Sequence, residues 1–417
     1  MHTPPAVVRR LPPALQHRDF RRLWAALLTS GLATQMVAVA VGWQVYAIHR
    51  SAFDLGLIGL AEFVPVPLLA LPAGNLADRL PRTVLVSTSL LGEATVVALL
   101  LAVTIGGARQ LWQFVALAAL TGATSAFGTP SARSLTPEIV PGDLLASALA
   151  LRAVAGQAGS IAGPALGGLL FALRPEVVYA VAVVLLLAGA GWMLTVVRPT
   201  QIEALGDAQQ LESLLGGIRF IRSTPIILGA ITLDLFAVLF GGAVALLPLF
   251  ARSILHVGPF GLGILRSAAA VGALVAGIRL TRRSLGGRSG RTLLLVVGTF
   301  GASMVVFGIS HWFLVSALAL AVGGFADMIS MNIRQTTVAL ATPNLLRGRV
   351  TAVENVFIGA SNELGAFESG AAAALVGAVP AVVAGGAVTI LLALVWGRFF
   401  PDLARVDRLE DVQPAPG

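Results

Sequence analysis

The chain contains no cysteine and no lysine, and charged residues make up only 12% of its 417 positions. Without cysteine there are no disulfides, no thiolate catalysis and no cysteine-ligated metal. Without lysine there is no Walker A loop, whose lysine holds nucleotide phosphates. The chain is therefore not itself an ATP-driven pump of that kind, and any driving force comes from a gradient or a partner. A soluble domain carries roughly 25% charged residues; half of that, with 57% hydrophobic residues and a mean hydropathy of +0.88, excludes a water-soluble globule. All 28 basic residues are arginine and the formal net charge is +8. In a soluble protein this would point to nucleic acid, but here the arginines sit between apolar runs, so the expected surroundings are a lipid bilayer and no nucleic acid.

Each crossing of a bilayer needs about 20 apolar residues. Runs of that length lie at 23 to 47, 55 to 78, 83 to 105, 110 to 131, 144 to 172 and 176 to 197, and again at 225 to 250, 260 to 280, 292 to 310, 312 to 333, 350 to 377 and 380 to 400. The fold class read from them is all-α membrane protein, with twelve spans in two halves of six. The break at 198–224 carries Asp207, Glu212, Arg219 and Arg222 among helically spaced apolar residues and reads as an interfacial amphipathic linker helix. The expected organisation is an N-terminal segment 1–22, a first bundle 23–197, the linker 198–224, a second bundle 225–400 and a tail 401–417. With the N-terminus inside, 22 arginines fall on the cytoplasmic side, Arg133 and Arg334 among them, four outside (Arg50, Arg109, Arg174, Arg252) and two within spans (Arg152, Arg266). One missed span would invert every later loop, so this bias supports an even number of spans and places both termini in the cytoplasm. The first apolar run is of spanning length and lacks a small-residue cleavage site, so it acts as its own signal anchor.

The halves resemble each other. DLGLIGL…AGNLADR followed by PRTVLV in span 2 answers PFGLGIL…AGIRLTR followed by GRTLLLV in span 8, and Arg133 with Pro141 answers Arg334 with Pro343. Duplicated halves are common in transporters.

Between spans 2 and 3 the chain reads Gly74-Asn75-Leu76-Ala77-Asp78-Arg79-Leu80-Pro81-Arg82. This resembles the loop signature GxLaDRxGRk of the major facilitator superfamily, departing from it at Pro81 and Thr83. The resemblance implies a cytoplasmic latch made by Gly74, Asp78, Arg79 and Arg82, in which the carboxylate pairs with a facing helix end or an arginine and lets go as the halves part. Span 5 holds Gly159, Gly163, Pro164, Gly167 and Gly168, which resemble the GxxxGPxxGG element of exporters and antiporters in that superfamily. Glycines four apart admit a close helix and proline bends its own, which suits a helix between rocking halves. HRDFRRLW (17 to 24), GWQVYAI (42 to 48), LPLFARSIL (247 to 255) and FIGASNELGAFESG (357 to 370) are similar to the branch that contains enterobactin exporters and related secretion permeases, with Ala366 where that branch has a glutamate.

An ionised group in the bilayer centre costs about 3 kcal/mol or more unless paired or wet. Glu62, Glu93, Arg152, Asp234, Arg266, Asp327, Glu354, Glu363 and Glu368 all fall inside spans. On a helical wheel Glu354, Ser361, Gly365 and Glu368 form one stripe of span 11, with Asn355, Asn362 and Ser369 beside it. That stripe should line a wet cavity or the seam between halves, while Glu363 projects the other way towards a structural partner. The superfamily arrangement implies that span 2 faces span 11 and span 5 faces span 8. Arg152 and Arg266 then share a seam and would repel, so each should have an acidic partner or both an anionic substrate group. Arg does not titrate and the histidines (2, 17, 49, 256, 311) lie in the N-terminal tail or near span ends, which leaves carboxylates as proton carriers: Asp234 first, Glu62 second, with Glu363 as a further candidate.

The expected function is a secondary active exporter of a small amphiphilic molecule, drug-like or siderophore-like, exchanging it for protons by alternating access and working as a monomer in the cell membrane. Uptake by symport and a non-transporting sensor on the same fold are the alternatives. No HExxH or GxSxG occurs and no histidine lies near a midplane, so no enzyme, cofactor or metal centre is expected.

Overall fold

A computed structural model describes residues 12–107, 110–197, 207–282, 287–344, 346–408, 410 and 412, with the side chains of Leu71, Asp78 and 207–214 outside that description. Arg9, Arg10, Arg109, Arg198 and Arg283 of the charge-bias argument therefore lie outside the described residues. Twelve membrane spans form two pseudo-symmetric bundles of six. Span 1 is Arg18–His49, span 2 is Ala52–Phe63 continued by Pro65–Arg79, span 3 is Arg82–Ile105, span 4 is Leu111–Ile139, span 5 is Leu145–Leu173 and span 6 is Pro175–Leu194. The linker helix is Asp207–Ser223. Span 7 begins as Pro225–Gly241, span 8 is Pro259–Arg282, span 9 is Ser289–Ile309, span 10 is Phe313–Ala341, span 11 is Arg347–Val376 and span 12 is Ala378–Phe399. Composition and length mark only eleven of these as spans among the described residues. The twelfth, span 11, is diluted by Glu354, Asn355, Asn362, Glu363 and Glu368 and crosses because protein, not lipid, surrounds much of it.

Packing repeats between the halves. Span 1 lies on spans 5 and 6, span 3 on 4 and 6, and span 2 on 4; span 7 lies on 11 and 12, span 9 on 10 and 12, and span 8 on 10. Small residues make the closest crossings. A Cβ on Gly122 of span 4 would overlap the Glu62 carbonyl of span 2, and one on Gly324 of span 10 would overlap that of Ala269 in span 8, the same crossing in each half. The tail returns to span 9: the amides of Ser289 and Gly290 donate to the Asp407 and Val406 carbonyls at 2.9 Å, and the Arg288 amide donates to Asp407 Oδ1 at 2.6 Å. These bonds use amides at a helix N-terminus that have no partner within the helix.

The bundles meet along two seams, span 2 with 11 and span 5 with 8. The end where the linker helix packs on span 11 is the linker end here, and the opposite one the far end. In the far half both seams are closed: Gly56 and Gly59 lie on Phe367 and Ala366, Gly370 on Ala52, Gly168 on Pro259, and Gly263 on Pro164. Deeper, Ser267 Oγ donates to Ile161 O at 2.6 Å and Gln157 Nε2 to Ala270 O at 2.5 Å. Towards the linker end span 5 parts from spans 8 and 10 around a cleft of about 970 Å³, with Ala153, Val154 and Gln157 on one wall and Ile278, Asn332 and Thr336 on the other. The structure is thus closed at the far end and, at the linker end, open between span 5 and spans 8 and 10.

Candidate functional site

Span 2 carries Pro65, Pro67 and Pro72, and its helix breaks at Val64. Each proline removes an amide and frees a carbonyl four residues back. Glu62 stands beside this break. Across the seam Glu363 of span 11 turns towards span 2, its Oε2 lying 3.3 Å from where a Cβ on Gly59 would sit, one turn from Glu62. Arg266 of span 8 lies within electrostatic reach of both Glu62 and Glu363. Glu93 of span 3 takes a 3.4 Å hydrogen bond from Ser125 Oγ and is also felt by Glu363's neighbour Glu62. One guanidinium and three carboxylates, drawn from both bundles, therefore form a chain of electrostatic influence across the seam, Glu93 through Glu62 and Glu62 with Glu363 and Arg266.

Two expectations are corrected at this point. Glu363 does not turn away from the seam; it faces it. Of the expected stripe of Glu354, Ser361, Gly365 and Glu368, the middle packs inside the second bundle: Ser361 is buried, Gly365 lies on Val238 and Leu239 of span 7, and the adjoining Ser369 Oγ donates to Gly242 O at 2.7 Å. Small polar residues let two helices approach and satisfy their hydroxyls on carbonyls, which explains the buried part of the stripe, while Asn355 beside it is exposed. Glu368, beside Ser369, and Asn362 lie on the same span; Asn362 is exposed.

Asp234 of span 7 is ion-paired with Arg334 of span 10, and Arg334 Nε also lies 3.6 Å from Glu354 Oε1 of span 11. Arg334 is 3% exposed and Glu354 7%. Arg334 belongs to no loop: span 10 runs on through it to Ala341, eight residues beyond the end of the apolar run. A buried arginine with two carboxylates explains how the helix carries it. Asp327, two turns along span 10 on a similar face, is exposed.

Arg152 has no acidic partner among the described residues. Pro137 leaves the Arg133 carbonyl of span 4 without its helical amide, and Arg152 Nη1 donates to it at 3.3 Å, to Ala132 O at 2.6 Å and to Thr136 Oγ1 at 3.1 Å. Arg152 and Arg266 are not brought together as expected: Ser267, beside Arg266, meets Ile161, more than two turns along span 5 from Arg152, so Arg152 sits among carbonyls and Arg266 under the influence of Glu62 and Glu363. Counting from the helix starts, Arg152 in span 5 occupies the place of Glu354 in span 11, and Arg133 in span 4 lies one position beyond the place of Arg334 in span 10. The sign of one charge is thus inverted between the halves, and Arg133 reaches across to Asn355 Oδ1 at 2.9 Å.

The span 5 element divides into two faces. Gly159, Gly163 and Gly167 abut Gly31, Gln35 and Met36 of span 1, while Pro164 and Gly168 abut span 8. In the loop after span 2, Arg82 is ion-paired with Glu138 at the end of span 4, within its own bundle; Arg79 is exposed, Gly74 half-buried, and the side chain of Asp78 lies outside the described residues. No cluster of potential metal ligands occurs among the described residues.

A family model described as "Transmembrane secretion effector" matches residues 11–414. The chain belongs to this family of major facilitator transporters. The enterobactin exporter EntS of Citrobacter koseri is 28% identical over 397 residues, covering 90% of this chain and 92% of the relative. EntS of Escherichia coli K12 is 26% identical over 403 residues, covering 92% and 94%. Among solved structures, a bacterial homologue of the human lysosomal transporter Spinster in an inward-facing, occupied conformation superposes with a TM-score of 0.74 at 14% identity over 98% of this chain and 100% of that one. A D-xylose–proton symporter does so at 0.72 and 12% over 94% and 100%. At these identities the superpositions speak to fold. The protein is a multi-pass membrane transporter.

Proposed function

We propose that this transporter exports a small amphiphilic organic molecule by alternating access, in exchange for protons, with both termini in the cytoplasm and as a monomer. The observation that carries the reading is the group of Glu62, Glu363 and Arg266: Glu62 belongs to the first bundle and the other two to the second, so rocking the bundles must change the surroundings of these charges. A carboxylate whose cation moves away has to be hydrated or take up a proton, and this ties proton movement to the rocking step. Asp234, by contrast, is paired within one bundle and acts as a brace. The apolar walls and sparse polar groups of the linker-end cleft suit an amphiphile entering from the cytoplasm. The exporter resemblance of span 5 and the named activity of the EntS relatives support the outward direction and a siderophore-like or drug-like cargo.

Efflux from a deletion strain, read by drug resistance and by metabolite accumulation, identifies the cargo. In everted vesicles, transport of that cargo is expected to require a proton gradient in the parent protein and to lose the gradient dependence in Glu62→Gln and Glu363→Gln. Unaltered gradient-driven flux in both variants would remove the coupling assignment.

A further inference from the structure

Two sequence segments that the transport reading leaves unused, 42–48 and 247–255, meet at the far end. After Gly241 span 7 leaves the α-helix: Gly242 is extended, Val244–Leu246 is a 3-10 turn, Leu247–Leu249 a single helical turn and Phe250–Ile254 a π turn. Such π turns occur mostly as single-turn insertions in helices and are frequent at functional sites. Phe250 is fully buried against Phe307 of span 9, with ring centroids 4.6 Å apart, so the π turn is anchored in the second bundle. Its outer side meets span 1 of the first bundle. Pro248 Cγ lies 3.0 Å from where a Cβ on Gly42 would be, Tyr46 Oη and Ser253 Oγ share a 2.8 Å hydrogen bond, and the Arg252 guanidinium stands 5.6 Å from the centre of the Trp43 ring. These contacts bridge the bundles where the far end is closed.

Arg252 is the anomaly. Its Nη1 is buried and has no hydrogen-bond partner, and no carboxylate stands within ion-pair distance among the described residues. A cation over an aromatic face is attracted to it, but the ring accepts no conventional hydrogen bond, so the closed gate leaves part of the guanidinium's hydration unreplaced. Parting of spans 1 and 7 would return that nitrogen to water.

We propose that Arg252 is a built-in opener of the far-end gate: Trp43 holds the gate shut, while the unpartnered guanidinium biases it towards release. The two partners of one contact therefore act in opposite directions. This rests on the alternating-access reading above. An ordinary stabilising contact would make loss of either partner loosen the gate.

The chain's lack of cysteine gives a clean background for the test. In the full-length protein in lipid nanodiscs, Leu247→Cys places a single thiol at a position that is 2% exposed behind the gate, and its reaction rate with a water-soluble maleimide reads gate opening. Adding Trp43→Ala is expected to speed labelling, and Trp43→Phe to speed it less, whereas Arg252→Met, which keeps an unbranched stem without the charge, is expected to slow it. A shift of about threefold or more in each direction is the size a contact of this type supports. Melting of each variant is followed in parallel, and Trp43→Phe stands in if the alanine variant does not fold. Faster or unchanged labelling in Arg252→Met overturns the opener. Identical, vanishing labelling in all variants would instead overturn alternating opening at this end, and the opener with it.

Discussion

At the scale of single residues, the sharpest contrast is between two acids that look alike in the chain. Asp234 and Glu62 both interrupt apolar runs, but Asp234 has a bonded arginine inside its own bundle, and Glu62 shares Arg266 with Glu363 across a seam. Removing one partner of a buried ion pair strands the other, at a cost on the order of 3 kcal/mol. Asp234→Asn is therefore expected to lower the melting temperature, and Asp234→Asn combined with Arg334→Gln and Glu354→Gln to recover part of it, because no charge of the buried triad is then left alone; thermal melts in detergent decide. Glu62→Gln should melt close to the parent. Sequence reasoning found both acids by their cost in lipid. It missed Arg334, because an apolar run ends at residue 333 while the helix continues to Ala341 on the strength of its ion pairs. Hydropathy registers the charge and not the partner that neutralises it.

Whole elements show what a helical wheel can and cannot say. The stripe of span 11 was legible as a stripe, since period 3.6 alone groups Glu354, Ser361 and Gly365. Which neighbour that stripe meets depends on the rotation of the helix in the bundle, and the wheel carries no information about rotation. The span 5 element was legible too, and the structure assigns its glycines to two partners: span 1 within the bundle, span 8 across the seam. Gly163→Leu should therefore cost folding, seen as loss of a monodisperse peak, because Gln35 Cβ would lie 2.6 Å from the added atom. Arg152 braces span 4 where Pro137 has freed a carbonyl. Hydrogen bonds to charged groups contribute about 1.5–3 kcal/mol, so Arg152→Met should lower stability by that order, while Arg152→Lys, with one donor centre in place of a fork, should restore less than half, as read by thermal melting.

For the molecule as a whole, twelve spans in two halves were legible because lipid imposes a length rule on every crossing. The open state was not, since the same sequence must serve both states. Phe53 and Phe367 pack edge to face across the closed far-end seam, 5.9 Å between ring centres. A short bifunctional thiol reagent joining Phe53→Cys to Phe367→Cys is expected to stop flux, and cleaving the bridge to restore it; flux that persists through a complete cross-link would mean that this seam need not part. The tail has a practical bearing on all such experiments. Because Val406 and Asp407 cap the start of span 9, a purification handle or fluorescent reporter spliced in at residue 405 would uncap that helix, whereas one appended after Gly417 leaves the cap in place.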